Sequence, residues 1–312
     1  MRIAIISDIH GNYPALVAVV EDALMNNVDK FIFTGDYIFD LPFSNDVVHF
    51  LMELKNAYII KGNKEAYLTK LANGNQDSFY NQMGNKQQVI KNLSLNAYNF
   101  LNAINEEIFL EINHDIIIYA THIPKFPKPL YKTEFGSLNF YNKMITESFS
   151  HEQYLTEFNK FINNDENKSL FNQINANIII FGHNHLQSYA HCGNKLIINP
   201  GSCGLPFDFN PAAAYTILEI TTNEINVYEK RFFYDINKMI DEAKKSISYE
   251  SAKTWNDILF LSLKTGRDYL GVFLEIVEQI SLSNNEKVSL SNNLIWEEAS
   301  KILTNKIKPI IR

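Results

Sequence analysis

Short apolar runs recur along the first two thirds of the chain, and most of them end in a polar turn. The run RIAIIS (2–7) is rich in isoleucine and too short for a helix, which is typical of a buried strand. The next segment, YPALVAVVEDALMNN, places its apolar residues at helical spacing, with Pro14 suited to a first helical turn. Strand-like runs return at 30–36 and 56–65. The first 65 residues therefore predict alternating strands and helices, as in a sheet covered by helices.

The remaining sequence predicts more strands and then a change to helices. The further strand-like runs are DIIIYATH (115–122), NIIIFGHNH (177–185), KLIINPGS (195–202) and the pair AAAYTILEI and EINVYEKRF. From about residue 235 the apolar residues take helical spacing between Ser, Thr and Gly residues. We therefore predict a first domain of residues 1–234 and a helical C-terminal extension of residues 235–312. The extension either packs on the first domain or forms the surface of a homo-oligomer.

Composition narrows the class of protein. The chain has 312 residues, of which 46% are hydrophobic and 20% charged, as in ordinary globular proteins. Its formal net charge of −7 argues against duplex nucleic acid as a partner, since Lys and Arg supply phosphate contacts. Two cysteines, Cys192 and Cys203, provide no disulfide framework, which favours a reducing compartment. No apolar run reaches the ~20 residues of a membrane span, and the N-terminal one is too short for a signal peptide. We therefore expect a cytoplasmic protein that does not enter membranes.

Residue types that bind metals follow the predicted strands, at the point where each strand ends. They are Asp8, His10, Asp36, Asn63, His122, His183 and His185. One such residue after a strand is usually part of a turn. Because sites in α/β sheets assemble at the carboxyl ends of the strands, however, we expect these side chains to lie together. Four of the eight histidines belong to this set. We interpret the other four as surface or packing residues: His49, His114, His151 and His191.

Five short motifs resemble, in order, those of the calcineurin-like metallophosphoesterases. They are DIH at 8–10, GD at 35–36, GN followed by Glu65, TH at 121–122 and GHNH at 182–185. The segment NPGSCGLPFDFNPAAAYTILEI (199–220) is similar to the end of the catalytic domain in the compact prokaryotic branch of that superfamily. The resemblance implies an α/β (α+β) fold, a four-layer αββα sandwich of two mixed β-sheets flanked by helices. Here the C-terminal helical extension would be added to it.

The resemblance also implies two sets of metal ligands that share Asp36. They are Asp8, His10, Asp36 and His185 for one metal, and Asp36, Asn63, His122 and His183 for the other. Two divalent metals about 3.5–4 Å apart lower the pKa of a shared water. The implied nucleophile is therefore a metal-bridging hydroxide, and no covalent phosphoenzyme is expected. Imidazole, carboxylate and amide ligands suit Mn²⁺, Fe, Zn²⁺, Co²⁺ or Ni²⁺ better than Mg²⁺. Of these metals, we expect Mn²⁺ to be the one that the protein binds.

Catalytic and substrate-binding roles follow from the same resemblance. The predicted catalytic residues are His10, Asp36, Asn63 and Lys64, and the predicted substrate-binding residues are Asn12, Asn63, Lys64 and His122. Many relatives have a histidine in place of Lys64, and that histidine protonates the leaving group. A lysine there would stabilise developing negative charge. To act as a general acid it would need its pKa lowered from about 10.4. In a third alternative it points into solvent.

The segment GLPFDF (204–209) departs from the family pattern as well. Many relatives carry polar and basic residues there, whereas this chain has Leu205 and Phe207. A more apolar rim of this kind would suit an aryl or nucleobase-bearing substrate. The resemblance thus implies a dinuclear-metal-dependent phosphoesterase that acts on a small molecule, possibly a nucleotide. The alternatives are a single-strand nuclease of the same superfamily and a catalytically weak metal-binding scaffold that acts through its helical tail.

Overall fold

The computed structural model describes residues 1–72, 85–128, 133, 138–145, 149–246, 249–250, 252–284 and 293–307. Its strands are β1 Arg2–Ile6, β2 Lys30–Phe33, β3 Ala57–Ile59, β4 Glu107–Asn113, β5 Ile116–Thr121, β6 Ile178–Ile180, β7 Gln187–Cys192, β8 Lys195–Pro200, β9 Ala213–Ile220 and β10 Ile225–Phe232. Its helices are α1 Tyr13–Met25, α2 Ser44–Glu53, α3 Asn63–Ala72, α4 Asn85–Asn92, α5 Leu95–Ala103, α6 Leu138–Met144, α7 His151–Asn163, α8 Asp165–Gln173, α9 Ile236–Ala243, α10 Lys253–Thr265, α11 Tyr269–Ser283 and α12 Asn293–Ile307.

The strands form two mixed five-stranded sheets. The first has the order β10-β9-β1-β2-β3 and the second the order β4-β5-β6-β8-β7. In the first sheet β1, β2 and β3 run parallel, while β9 is antiparallel to β1 and to β10. In the second sheet β5, β6 and β8 run parallel, with antiparallel β4 and β7 at the two edges. The loops that follow the parallel strands therefore leave each sheet at one end.

Alternation along the central strands explains why their sequences are apolar throughout. In β1, Ile3 and Ile5 contact the second sheet through a cluster that includes Ile118 and Ile178. Ala4 and Ile6 point to the other face and pack with residues of α1. Both faces of the strand are therefore buried, as expected for a central parallel strand. Helices α7 and α8 cover the outer face of the second sheet in the same way, through Phe158, Phe161 and Phe171. This arrangement confirms the predicted four-layer fold.

Two strands of the second sheet were absent from the sequence-based prediction, β4 and β7. Both are edge strands. Along β4 (EIFLEIN) exposed and half-buried residues alternate, and β7 (QSYAHC) also has exposed positions. An edge strand with one face in solvent lacks the continuous apolar run that marks a buried strand. The polar residues of β4 and β7 are the reason that the apolar pattern did not predict these strands.

Helices α9 to α12 share a buried core of their own, which contains Trp255, Phe273 and Trp296. This core also takes in side chains from the first 234 residues: Leu41, Ile145, Leu205 and Phe207. The predicted helical extension is therefore present, and it packs on the sandwich. Among the helices that the structure describes, none is long and apolar enough to cross a membrane.

Candidate metal centre

All seven predicted ligands lie just beyond the carboxyl ends of parallel strands. Asp8 and His10 follow β1, Asp36 follows β2 and Asn63 begins α3 just after β3. On the second sheet His122 follows β5 directly, and His183 and His185 lie between β6 and β7. The two sheets face each other, so these loops meet at one end of the sandwich. There, six of the carboxylate and imidazole side chains form two groups of three, and within each group the side chains lie close together.

The first group consists of Asp8, His10 and His185. The Nε2 atoms of the two histidines lie 3.0 Å apart. Asp8 Oδ1 lies 3.4 Å from His185 Nε2 and 3.8 Å from His10 Nε2. Two imidazole nitrogens and one carboxylate oxygen therefore face a common point inside the protein, since all three residues are buried. This donor set is one that divalent transition metals bind.

The second group consists of Asp36, His122 and His183. His122 Nε2 lies 3.4 Å from Asp36 Oδ1. The side-chain oxygen of Asn63 lies 2.9 Å from His122 Nε2 and 3.1 Å from His183 Nδ1. The structure thus brings Asn63 to the same point as the other three, and the four residues offer oxygen and nitrogen atoms together.

Asp36 lies between the two groups. Its Oδ1 faces His122 of the second group, and its Oδ2 lies 4.0 Å from His10 Nε2 of the first group. A carboxylate that presents one oxygen to each group is placed to serve two metal ions. The residues present therefore fit a pair of metal ions, with Asp36 as their shared ligand.

Three of the histidines are oriented by a second hydrogen bond from the far side of the ring. His10 Nδ1 donates to Asp40 (2.7 Å), His122 Nδ1 to the carbonyl of Thr34 (2.7 Å) and His185 Nδ1 to the carbonyl of Leu205 (2.6 Å). A proton on Nδ1 leaves the lone pair on Nε2, which in each case faces the group. Such outer contacts are a regular feature of metal-binding histidines.

The loops hold five of the seven ligands in a left-handed backbone conformation. The φ angles are +54° at Asp8, +51° at His10, +57° at Asp36, +76° at His183 and +58° at His185. A positive φ is uncommon outside glycine and persists only where the surrounding structure enforces it. Here backbone hydrogen bonds link the first two loops, from Asp8 N to Gly35 O (3.0 Å) and from His10 N to Asp36 O (2.9 Å). The strain is concentrated at the candidate site.

Burial and neighbouring carboxylates divide the histidines into two kinds. Burial lowers the pKa of His10, but hydrogen bonds to Asp40 and Asp8 outweigh it and raise that pKa to about 9. Burial likewise lowers the pKa of His122, and the charge of Asp36 outweighs it to give about 9. For His183 and His185 burial prevails, and each pKa falls to about 4. Metal ions at either group would therefore compete with a proton on one histidine.

Lys64 points to the site and not into solvent. Its Nζ lies 3.2 Å from Asp40 Oδ2, and only 22% of its side chain is exposed. Burial lowers the pKa of Lys64, but Asp40 and Asp36 outweigh it and raise that pKa above its ordinary value. An acid at neutral pH needs a shift in the opposite direction. The lysine therefore carries a fixed positive charge, which favours the charge-stabilising alternative.

Asn12 stands apart from the other predicted substrate-binding residues. Its side chain is 0% exposed and caps α1, where its oxygen accepts a hydrogen bond from Ala15 N. Its amide nitrogen donates to the carbonyl of Gly204 (2.8 Å) and to the hydroxyl of Tyr234 (2.7 Å). The amide is thus used inside the protein, so the predicted substrate contact has no support in this arrangement. We assign Asn12 to the start of the helix.

Two acidic residues at the site, Asp40 and Glu65, are not among the predicted site residues, although Glu65 belongs to the third motif. Asp40 binds both His10 and Lys64. Glu65 is 1% exposed and accepts hydrogen bonds from the backbone N–H groups of Asp36 (3.0 Å), Tyr37 (2.8 Å) and Gly62 (2.8 Å). It thereby joins the loops that carry Asp36 and Asn63. In the sequence each acid follows a predicted ligand within a few residues, and Glu65 is also part of the third motif.

Leu205 and Phe207 do not form the predicted apolar rim of a substrate site. Leu205 and Phe207 are buried, with 3% and 9% of their surface exposed, because the C-terminal helices cover them. The ring of Phe207 stacks on the imidazole of His185, with centroids 4.7 Å apart and an angle of 9° between the planes. Their apolar character therefore serves packing between the metal site and the helices.

Similarity to known proteins agrees with this geometry. The family model for calcineurin-like phosphoesterases matches residues 1–187, which is more than half of the chain. An uncharacterized protein of Methanocaldococcus jannaschii is 28% identical over 252 residues, which cover 78% of this chain and 92% of that protein.

Two solved structures show the same fold. One is a metallophosphoesterase from Sphaerobacter thermophilus, with a TM-score of 0.60 and 21% sequence identity. The match covers 85% of this chain and 100% of that protein's chain. The other is a hypothetical protein from Pyrococcus horikoshii, with a TM-score of 0.56 and 15% sequence identity. The match covers 81% of this chain and 97% of that protein's chain. The family inferred from the five motifs is confirmed. The chain belongs to the calcineurin-like phosphoesterase family and is a metal-binding hydrolase of phosphoesters.

Proposed function

We propose that the protein is a dinuclear-metal-dependent phosphoesterase that hydrolyses a phosphate ester or anhydride bond of a small molecule, with nucleotides as candidate substrates. The observation that carries the proposal is the position of Asp36, which presents one oxygen to each of two groups of imidazole and carboxylate donors. When bound, two metal ions supply Lewis acidity and activate a water molecule for attack at phosphorus. The mixed donors suit Mn²⁺ as the first metal to test.

The protein's own residues would divide the remaining work. Asp8, Asp36 and the four histidines would hold the metals, with Asn63 completing the second group. Lys64 would place a positive charge beside them, held by Asp40. A cation at this position attracts the anionic substrate and stabilises the charge that develops on phosphate oxygens during hydrolysis. Because its pKa is raised, Lys64 is a poor proton donor at neutral pH. This favours substrates whose leaving groups depart as anions.

The test of the proposal is hydrolysis of bis(p-nitrophenyl) phosphate and p-nitrophenyl phosphate by metal-stripped protein reloaded with Mn²⁺. We expect turnover that depends on Mn²⁺, and the ratio of the two rates will assign a diester or monoester preference. Mn²⁺ binding with no turnover on either substrate would favour the scaffold alternative. Failure to bind Mn²⁺, Zn²⁺ or Co²⁺ would contradict the proposal.

Replacing Lys64 with methionine keeps much of the side-chain volume and removes the charge. We expect kcat/KM for bis(p-nitrophenyl) phosphate to fall about 100-fold, the usual effect of losing one electrostatic contact to the transition state. Lys70 lies on the same helix, α3, and is exposed, so Lys70→Met is the matched control. Equal kcat/KM values for the two variants would show that the positive charge of Lys64 has no part in the reaction.

A further inference from the structure

The loop of residues 205–210 touches the metal site on one side. The carbonyl of Leu205 accepts the Nδ1–H hydrogen bond of His185, and the ring of Phe207 stacks on the same imidazole. The backbone N–H of Phe207 also donates to the carbonyl of His185 (3.3 Å). Three contacts from this loop therefore determine where His185 Nε2 points.

On its other side the same loop is held by the C-terminal helices. Leu205 and Phe207 belong to the buried core of α9 to α12. The N–H of Phe209 donates to the carbonyl of Gly266 (2.8 Å), and the guanidinium of Arg267 lies 4.9 Å from the centre of the Phe209 ring. Phe209 has a φ of +69°, a conformation that a bulky residue keeps only when its surroundings impose it. The helices therefore contribute contacts that hold the loop in this shape.

Gly266 packs closely against the loop at this contact. It ends α10 with a φ of +64°, and a Cβ added there would come within 2.6 Å of the backbone nitrogen of Asn210. Any side chain at position 266 must therefore move the helix away from the loop.

A second contact reaches the other histidine of the first group. Leu41 also lies in the core of the C-terminal helices, and its N–H donates to the carbonyl of His10 (2.9 Å). It directly follows Asp40, which orients the His10 ring. His122 of the second group is oriented instead by the carbonyl of Thr34, beside β2 in the first sheet. The helices therefore support one group of ligands in particular.

We propose that the C-terminal helices position His10 and His185 for metal binding, with Phe207 and Gly266 as positioning residues. This inference rests on the proposed function, since it takes the first group to be a metal site. It predicts an asymmetric effect: loosening the contact between helices and loop weakens the metal held by Asp8, His10 and His185 and spares the other one. A purely structural role of the helices would lower overall stability without this asymmetry.

The experiment is a Co²⁺ titration of the metal-stripped full-length protein, followed by the visible absorption of the bound ion. We would compare the wild-type protein with Gly266→Ala and with Gly193→Ala. Gly193 lies in the turn between β7 and β8 with a φ of +61°, and an added Cβ there meets nothing within 4 Å. Both substitutions thus carry the cost of a left-handed alanine, but only Gly266→Ala disturbs the contact with the loop.

We expect Gly266→Ala to retain one tightly bound Co²⁺ and to bind the second about 10- to 100-fold more weakly, the usual range for loss of a supporting contact. Gly193→Ala should match wild type in both affinities and in its spectrum. Phe207→Leu keeps an apolar residue in the helical core but removes the flat ring, so it should alter the spectrum of one ion. If Gly266→Ala does not fold, the spectrum of Phe207→Leu alone tests whether the loop positions His185.

Two results would overturn the inference while leaving the proposed function intact. One is wild-type affinity and spectrum in both Gly266→Ala and Phe207→Leu. The other is an equal loss of both ions in these variants. If the wild-type protein itself binds no Co²⁺, the proposed function fails instead, and the two failures are therefore distinguishable.

Discussion

Replacing Asp36 with asparagine is expected to lower kcat/KM for bis(p-nitrophenyl) phosphate about 1000-fold or more. Asp36 is a carboxylate that faces both groups of ligands, so its loss disturbs both metals. Lewis-acid stabilisation of the transition state contributes several kcal/mol, and each loss of about 1.36 kcal/mol is a tenfold loss in rate. The substitution is nearly isosteric, so the fold should survive it. The measurement is steady-state hydrolysis at saturating Mn²⁺.

Asp115→Asn is the matched control for this experiment. Asp115 is exposed in the turn before β5, whereas His122 follows the opposite end of the same strand. It removes the same charge far from the site, and its kcat/KM should equal that of the wild type. Activity of Asp36→Asn within tenfold of wild type would contradict the role of Asp36 as a shared ligand.

Replacing Glu65 with alanine is expected to have the largest effect on stability. The carboxylate accepts hydrogen bonds from three buried backbone N–H groups. Each buried donor left without a partner costs roughly 1–3 kcal/mol, so the free energy of unfolding should fall by about 3 kcal/mol or more. The measurement is urea-induced unfolding of the metal-free protein. The variant should also bind metals more weakly, because Glu65 joins the loops of Asp36 and Asn63.

Glu21→Ala provides the comparison, since Glu21 is exposed on α1. Surface substitutions of this kind usually change stability by less than about 0.5 kcal/mol. Similar unfolding curves for the two variants would show that water replaces the Glu65 carboxylate without cost. The loops at the site would then be held by other contacts.

The sequence predicts a residue's place at the candidate site where that place depends only on its own strand. Asp8, Asp36 and His122 each follow a buried apolar run, and the parallel order of the strands brings their loops together. The apolar pattern therefore predicted both the central strands and the edge at which the site lies. It missed β4 and β7 because an edge strand exposes one face and alternates polar with apolar residues.

The remaining roles depend on partners far away in the chain. Lys64 pairs with Asp40, and Asn12 bonds with Gly204 and Tyr234, so neither partner can be read from the local sequence. Phe207 shows the same limit more clearly. Its apolar side chain departs from the family pattern, but the reason lies in helices that begin some thirty residues later. Only the tertiary structure shows that the departure and the C-terminal extension belong together.

The most direct test of the two-metal centre is a titration of the metal-stripped protein with Mn²⁺, followed by electron paramagnetic resonance. We predict two Mn²⁺ ions per chain and a spin-coupled signal, because Asp36 faces both groups of ligands. Asp36→Asn should lose the coupled signal. A single bound Mn²⁺, or two ions with no coupling between them, would contradict a shared dinuclear site.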